Sequence, residues 1–238
     1  PMTGNVVVDR HELVEDFFPK DVRRKFEIFS YRNAVAIPAQ NFSHEFSQIT
    51  RVLQEFEITT TMIRMPGGSK GLIARYVEGL FPSPDWKETR ITADLHVKLL
   101  PSKGDEPLLK YVRSGYSDGH RIDFVSGKVA LDFEWNSKDQ TYDRDLYAFS
   151  AFHAAGAIEV GILLTRGNSM STDFMRTLGK VLMKTGQEGP EEVYKKFGAS
   201  TTFTGKPLYR LEAGRNGGCP ILALGITPEC VADYTGRG

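Results

Sequence analysis

The segment HRIDFVSGKVALDFEWNSKD, residues 120–139, restricts the fold more than any other stretch of the chain. Leu131, Phe133 and Trp135 alternate with Asp132, Glu134 and Asn136. A period of two marks a strand whose two faces meet different surroundings. Ile122 and Phe124 carry the same alternation up to Ser126 and Gly127, which form the centre of a turn. A hairpin centred there sets Asp123 opposite Ala130. Asp132 then lies diagonal to Asp123 on the same face, within about 8 Å, and Glu134 extends the row. Ile122, Phe124, Leu131, Phe133 and Trp135 take the other face. Clustered carboxylates repel, and partial burial raises their pKa values. They stay ionised together only if a cation joins them. Carboxylate oxygens converging in this way, completed by water and phosphate, suit Mg²⁺, with Mn²⁺ as a substitute; Ca²⁺ is expected to bind without turnover. A metal held there activates water and stabilises the charge of a phosphodiester transition state. The plain alternative is a solvent-facing polar edge whose acids are answered by Arg121, Lys128 and Lys138.

The surrounding pattern sets the fold class. Residues 9–24 read as a helix interrupted by Pro19, and FEIFSYR (26–32) as a short strand. SHEFSQITRVLQEF (43–56) has apolar residues at helical spacing, with Ser43 placed to cap it. A glycine-rich loop and helix occupy 67–81, and 91–100 alternate as a strand. After the hairpin come a helix over 143–157, a continuously apolar strand over 158–166, a helix over 174–184 and a second apolar strand over 219–226. Continuous apolar strands belong in the middle of a sheet. The order predicts an α/β fold, a mixed central sheet flanked by helices, in one domain over 1–238.

Composition excludes several function classes. The 30 basic and 30 acidic residues cancel, so any polyanion site depends on local segregation of charge. Cys219 and Cys230 have no metal-ligand spacing, which favours a reduced, cytoplasmic chain. No apolar run approaches the roughly 18 residues of a membrane span. GGSKG (67–71) lacks the full spacing of a phosphate loop. His120 and His153 are expected to be structural.

An Asp, eight residues, then acid–x–(Lys, Glu or Gln) on the next strand resembles the active-site motif of the PD-(D/E)XK nuclease superfamily. The usual lysine is replaced by Glu134. Further pieces are similar to the BglII/BstYI group of Type II restriction endonucleases: SYRNA, GSKGLIARYVEGLFPSPDWKE, IDFVSGKVALDFEWNSKD, VGILLTRGNSM and PILALGI, in that order over about 27–226. The resemblance implies a restriction-endonuclease-like core and Mg²⁺-dependent cleavage of double-stranded DNA at a short palindrome by a homodimer. It assigns Asp123 and Asp132 as metal ligands, with the carbonyl of Phe133 as a further one. Glu134 is then the residue that holds or polarises the attacking water. A fourth group from an upstream helix is Glu88, or its neighbour Thr89. A repair or nicking nuclease and a non-catalytic DNA-binding protein are the competing expectations.

DNA contacts are expected in three places. Asn136, Ser137 and Lys138 follow the catalytic strand. Arg166, Asn168 and Ser169 leave the end of an apolar strand, where Arg166 has the fork to read guanine and Asn168 the amide to read adenine. Lys206, Arg210 and Arg215 lie in a polar stretch suited to phosphates.

Overall fold

In the computed structural model, which describes residues 8–66 and 71–236, two short helices open the chain: α1 (His11–Phe17) and α2 (Lys20–Lys25). The interruption expected at Pro19 within 9–24 falls at Phe18 and Pro19, and Phe18 is extended because proline follows it. Strand β1 (Phe26–Tyr31) leads to α3 (Ala36–Asn41), α4 (Ser43–Glu55), α5 (Thr60–Arg64) and α6 (Leu72–Leu80). Ser43 begins α4 but does not cap it through its side chain; buried Ile49, Val52 and Leu53 hold that helix to the core. Four of the five residues of GGSKG lie outside the described residues.

Strands β2 (Lys87–Leu99), β3 (Leu109–Ser126) and β4 (Val129–Glu134) run as an antiparallel meander. Helix α7 (Thr141–Ala154) then crosses to β5 (Val160–Arg166), parallel to β4. Next come α8 (Thr172–Thr177), β6 (Lys180–Leu182), β7 (Glu188–Glu192), α9 (Val193–Lys196), α10 (Gly205–Glu212) and β8 (Ile221–Ile226). The helix expected over 174–184 stops early: Gly179 has φ +74°, and Lys180–Leu182 turns back as a strand against β7.

The central sheet has the order β1-β8-β5-β4-β3-β2, with β4, β5 and β8 parallel and the outer pairs antiparallel. Every residue of β5 and β8 is buried, as their unbroken apolar runs require. One core, with Leu131, Ile162 and Leu224, carries α4 and α6; the other, with Ala130, Leu163 and Ile221, carries α7.

The hairpin turns at Gly127 and Lys128 rather than at Ser126 and Gly127, with Ser126 paired to Val129 and Phe124 to Leu131. Gly127 has φ +53°, which glycine alone adopts without cost. The register differs from the expected one by two residues, an even shift, so the acid face keeps its side. Ile122 is the exception, since it packs with Ala130 and Leu146 in the α7-side core.

Candidate active site

Ile122 changes sides because the chain bulges next to it. Lys87 pairs with Val125 and Thr89 with Ile122, so Glu88 alone faces both Asp123 and Phe124. Such a bulge re-aims a side chain and ends regular pairing. Here the β3–β4 ladder ends at Phe124 and Leu131, and carboxylates take over from carbonyls. The Asp123 N–H donates to Asp132 Oδ1 at 2.8 Å, and the Phe133 N–H donates to Asp123 Oδ2 at 3.2 Å. The two acids are thus pinned to each other's strands. The N–H and C=O of one strand residue leave on the same edge, so the Phe133 carbonyl also points toward β3 rather than toward β5.

The acids differ in environment. Asp123 is open to solvent on a concave rim, yet the surrounding protein still raises its pKa, helped by Glu88 and Glu78 and opposed by the Phe133 N–H and Arg144. Asp132 is 5% exposed and its Oδ2 has no hydrogen-bond partner. Burial, then repulsion from Asp145 and Asp123, lifts its pKa well above the usual carboxylate range. Glu134, 7% exposed, is raised by burial and restrained by a hydrogen bond from Ser137 and by Arg144.

Helix α7 adds two residues that sequence reasoning missed. Asp145, 2% exposed, has its pKa pushed up to about 7 by burial and by Glu134, and its Oδ2 lacks a partner. Arg144 donates through Nε and Nη2 to Asp145 Oδ1, at 3.0 and 2.9 Å, and through Nη2 to Glu134 Oε1 at 3.1 Å. The signal was present: Tyr142, Asp145, Leu146 and Phe149 recur at helical spacing, which puts an acid on an apolar face. A buried chain fixes the helix to the strands, with the Tyr142 hydroxyl 2.6 Å from Thr165 Oγ1, which donates to the Glu134 carbonyl at 2.6 Å.

Asp123 and Glu134 open into a cleft of about 640 Å³ that Glu78 of α6, Glu88, Asn136, Ser137 and Lys196 also line. Glu88 is on strand β2, not at a helix end, and pairs with Arg121 at 3.0 Å. Thr89 does not line the cleft; its hydroxyl donates to the Lys87 carbonyl. The carboxylate that an upstream helix does bring to the cleft is Glu78.

The expected DNA contacts fare unequally. Asn136 and Ser137 line the cleft and Lys138 is exposed beside it. Arg166 points inward, 3% exposed. It donates to the carbonyls of Thr202 and Met170 and to Thr201 Oγ1, and stacks on Phe197 and Phe203. Asn168 Oδ1 accepts the Gly205 N–H, and the N–H of Ser169 donates to Glu27. Lys206 pairs with Asp139 at 3.4 Å; Arg210 and Arg215 both pair with Asp143, and Arg210 is 3% exposed. His153 bonds the Ile158 carbonyl and His120 meets the Tyr147 ring edge-on, with centroids 4.7 Å apart.

Among the described residues no three Asp, Glu, His or Cys side chains form a ready-made metal cage. Mg²⁺ does not ask for one: it binds through one or two carboxylates and completes its shell with water and phosphate. The buried, partnerless Asp132 Oδ2 beside the pinned Asp123 carboxylate fits that two-ligand kind of site.

A six-stranded mixed sheet with helices on both faces, and acids alternating along its central hairpin, defines a restriction-endonuclease-like α/β protein. The chain belongs to the restriction endonuclease BglII/BglIII family, whose model matches residues 26–226. The match opens at the first residue of β1 and closes at the last of β8, so it takes in the whole central sheet. Membership makes the chain a nuclease that acts on DNA. No curated protein matches it. Among the described residues, no helix is long and apolar enough to cross a membrane.

Proposed function

We propose that the chain is a Type II restriction endonuclease that cuts both strands of a short palindrome in duplex DNA as a Mg²⁺-dependent homodimer. The observation that carries this is the pair of carboxylates, Asp123 and Asp132, locked across the end of the β3–β4 ladder, with Asp123 lining a cleft and Asp132 buried beside it. Two-fold DNA asks for a two-fold protein. Asp123, Asp132 and the carbonyl of Phe133 would hold the cation. Bound there, the metal would supply charge to the phosphate and acidity to a water molecule.

The chain's own residues do the rest. Hydrolysis joins a water oxygen to phosphorus and breaks one P–O ester bond; the attacking water gives up a proton, and the departing sugar oxygen takes one from solvent. Glu134 is placed to take that proton, because burial raises its basicity while Arg144 and Ser137 fix its orientation. Glu78 and Glu88 line the approach to the same cleft. Arg144 gives the site the cation that the strand lacks with Glu134 in place of lysine, and its Nη1 makes no hydrogen bond among the described residues. Asn136 and Lys138 are the base and phosphate contacts nearest the cleft, and the side-chain amide of Asn168 and the ion-paired Lys206 and Arg215 flank them. The inward Arg166 and Arg210 support the loops that carry them.

Digestion of plasmid DNA in Mg²⁺ tests the proposal. Discrete fragments with identical ends are expected; nicks or smears would point to a repair or nicking nuclease, and binding without cleavage to a non-catalytic protein. Asp123→Asn and Asp132→Asn should each abolish cutting in Mg²⁺ while leaving folding and DNA binding nearly intact. A variant that keeps more than about a tenth of the parent rate, a loss under ~1.4 kcal/mol in barrier height, removes that residue from the site.

A further inference from the structure

Beyond Asp118, β2 and β3 leave the body of the sheet as a two-stranded ribbon, and almost all the pairing of those residues is with each other. All the extra residues at its irregularities fall on β3. Two of these sites carry a positive-φ glycine, Gly115 at +63° and Gly119 at +87°, and in each the glycine N–H is held by a carboxylate, Asp94 and Asp118 respectively. The ribbon is therefore bent at two fixed places rather than frayed.

Its two faces differ. Along β2 the odd-numbered residues Leu95, Val97 and Leu99 make an apolar face, and the even-numbered ones from Glu88 to Lys98 a polar face. The polar face begins at Glu88, which lines the cleft, and so continues the cleft outward. On it the register sets like charges directly across from each other twice: Arg90 beside Arg121, and Lys98 beside Lys110. Such pairs are unfavourable unless something negative answers them. Arg90 is answered by Asp118 at 2.6 Å and Arg121 by Glu88 at 3.0 Å. Lys98 and Lys110 have no acidic partner among the described residues. Lys98 lies ten positions beyond Glu88, roughly 30 Å along a strand. One turn of duplex DNA is about 34–36 Å.

We propose that the β2–β3 ribbon is a DNA-holding arm whose tip lysines, Lys98 and Lys110, grip duplex phosphates about one helical turn from the cut. The inference rests on the nuclease assignment above and goes beyond it by adding a contact remote from the cleft. Duplex DNA, rather than a second copy of the chain, is the partner, because Lys98 and Lys110 face each other on the side continuous with the cleft, whereas Arg113, across from Leu95 on the apolar side, is held over the Tyr116 ring.

The test is a binding titration in Ca²⁺ with Lys98→Gln/Lys110→Gln, neutral side chains of similar length that leave the strand intact. Two duplexes are used, one of about 10 base pairs and one of about 40, at several salt concentrations. On the long duplex the variant, which in the proposed dimer lacks two lysines in each protomer, should lose roughly 3.6 units of salt slope, about 0.9 for each phosphate contact. On the short duplex parent and variant should match, since no phosphate reaches the tip. Equal slopes on the long duplex overturn the arm and leave the nuclease assignment standing. Equal losses on both lengths overturn the one-turn placement. A variant that sediments as a monomer where the parent is a dimer makes the tip an interface between copies, which also overturns the arm. A parent that neither binds nor cuts duplex DNA removes the nuclease assignment, and the arm with it.

Discussion

Asp145 sits on the buried face of α7 with one oxygen taken by Arg144 and the other by nothing. Its pKa is raised from 3.8 to about 7, so the folded state keeps its proton to higher pH than the unfolded state does. The stability this contributes is complete below about pH 4 and is lost as pH climbs toward 7. Asparagine does not titrate. In EDTA, Asp145→Asn should therefore gain on the parent as pH rises from 4 to 8, by on the order of 1–3 kcal/mol. Urea unfolding at both pH values checks this; a gap that stays constant would show that Asp145 is not the titrating group. Arg144 tests the same corner from the side of charge. Arg144→Gln should slow single-turnover cleavage roughly 100-fold, as removal of one donor to a developing anion does elsewhere, and Arg144→Lys should recover part of the loss. If glutamine and lysine behave alike, the guanidinium acts by packing and not by charge.

Among the elements, the hairpin was the most legible. Its parity survived a wrong turn centre because an even shift keeps faces, while the bulge that turned Ile122 and aimed Asp123 left no mark in the periodicity. A bulge depends on the partner strand, here on the single Glu88 facing two residues. The missed end of α8 has a local cause, since Val181 and Leu182 prolong the apolar spacing while Gly179 breaks the helix. Arg166 shows what local pattern cannot hold. Its place after an apolar strand suggested an outward fork, but its partners Thr201 and Thr202 come 35 and 36 residues later. Burial lowers its pKa to about 10, and its bonds hold the 165–171 and 199–204 loops together. Arg166→Ala should cost on the order of 3 kcal/mol in denaturant unfolding, by leaving buried carbonyls without donors. A stable variant with altered sequence preference would return Arg166 to the DNA.

For the molecule as a whole, the mixed α/β class followed from the order of patterns, whereas the strand order did not. Nothing in residues 26–31 or 221–226 taken singly says that they pair, yet β1 and β8 match residue for residue from Phe26 with Ile226 to Tyr31 with Ile221. That pairing spans nearly the entire chain. Removal of β8 should leave a chain that neither cuts nor resists protease, because β5 and β1 would each lose a neighbour. A version ending at Gly218 that still cleaves plasmid would contradict this.

The same arrangement bears on how a cell survives making such a protein. β8 is inserted between β1 and β5, both of which leave the ribosome long before it. All the acids of the hairpin and of α7 are already translated by then, but the sheet under them still has a gap one strand wide. A nascent chain therefore carries the proposed cutting residues on an unfinished support, and the blade is mounted only when the strand that fills the gap arrives.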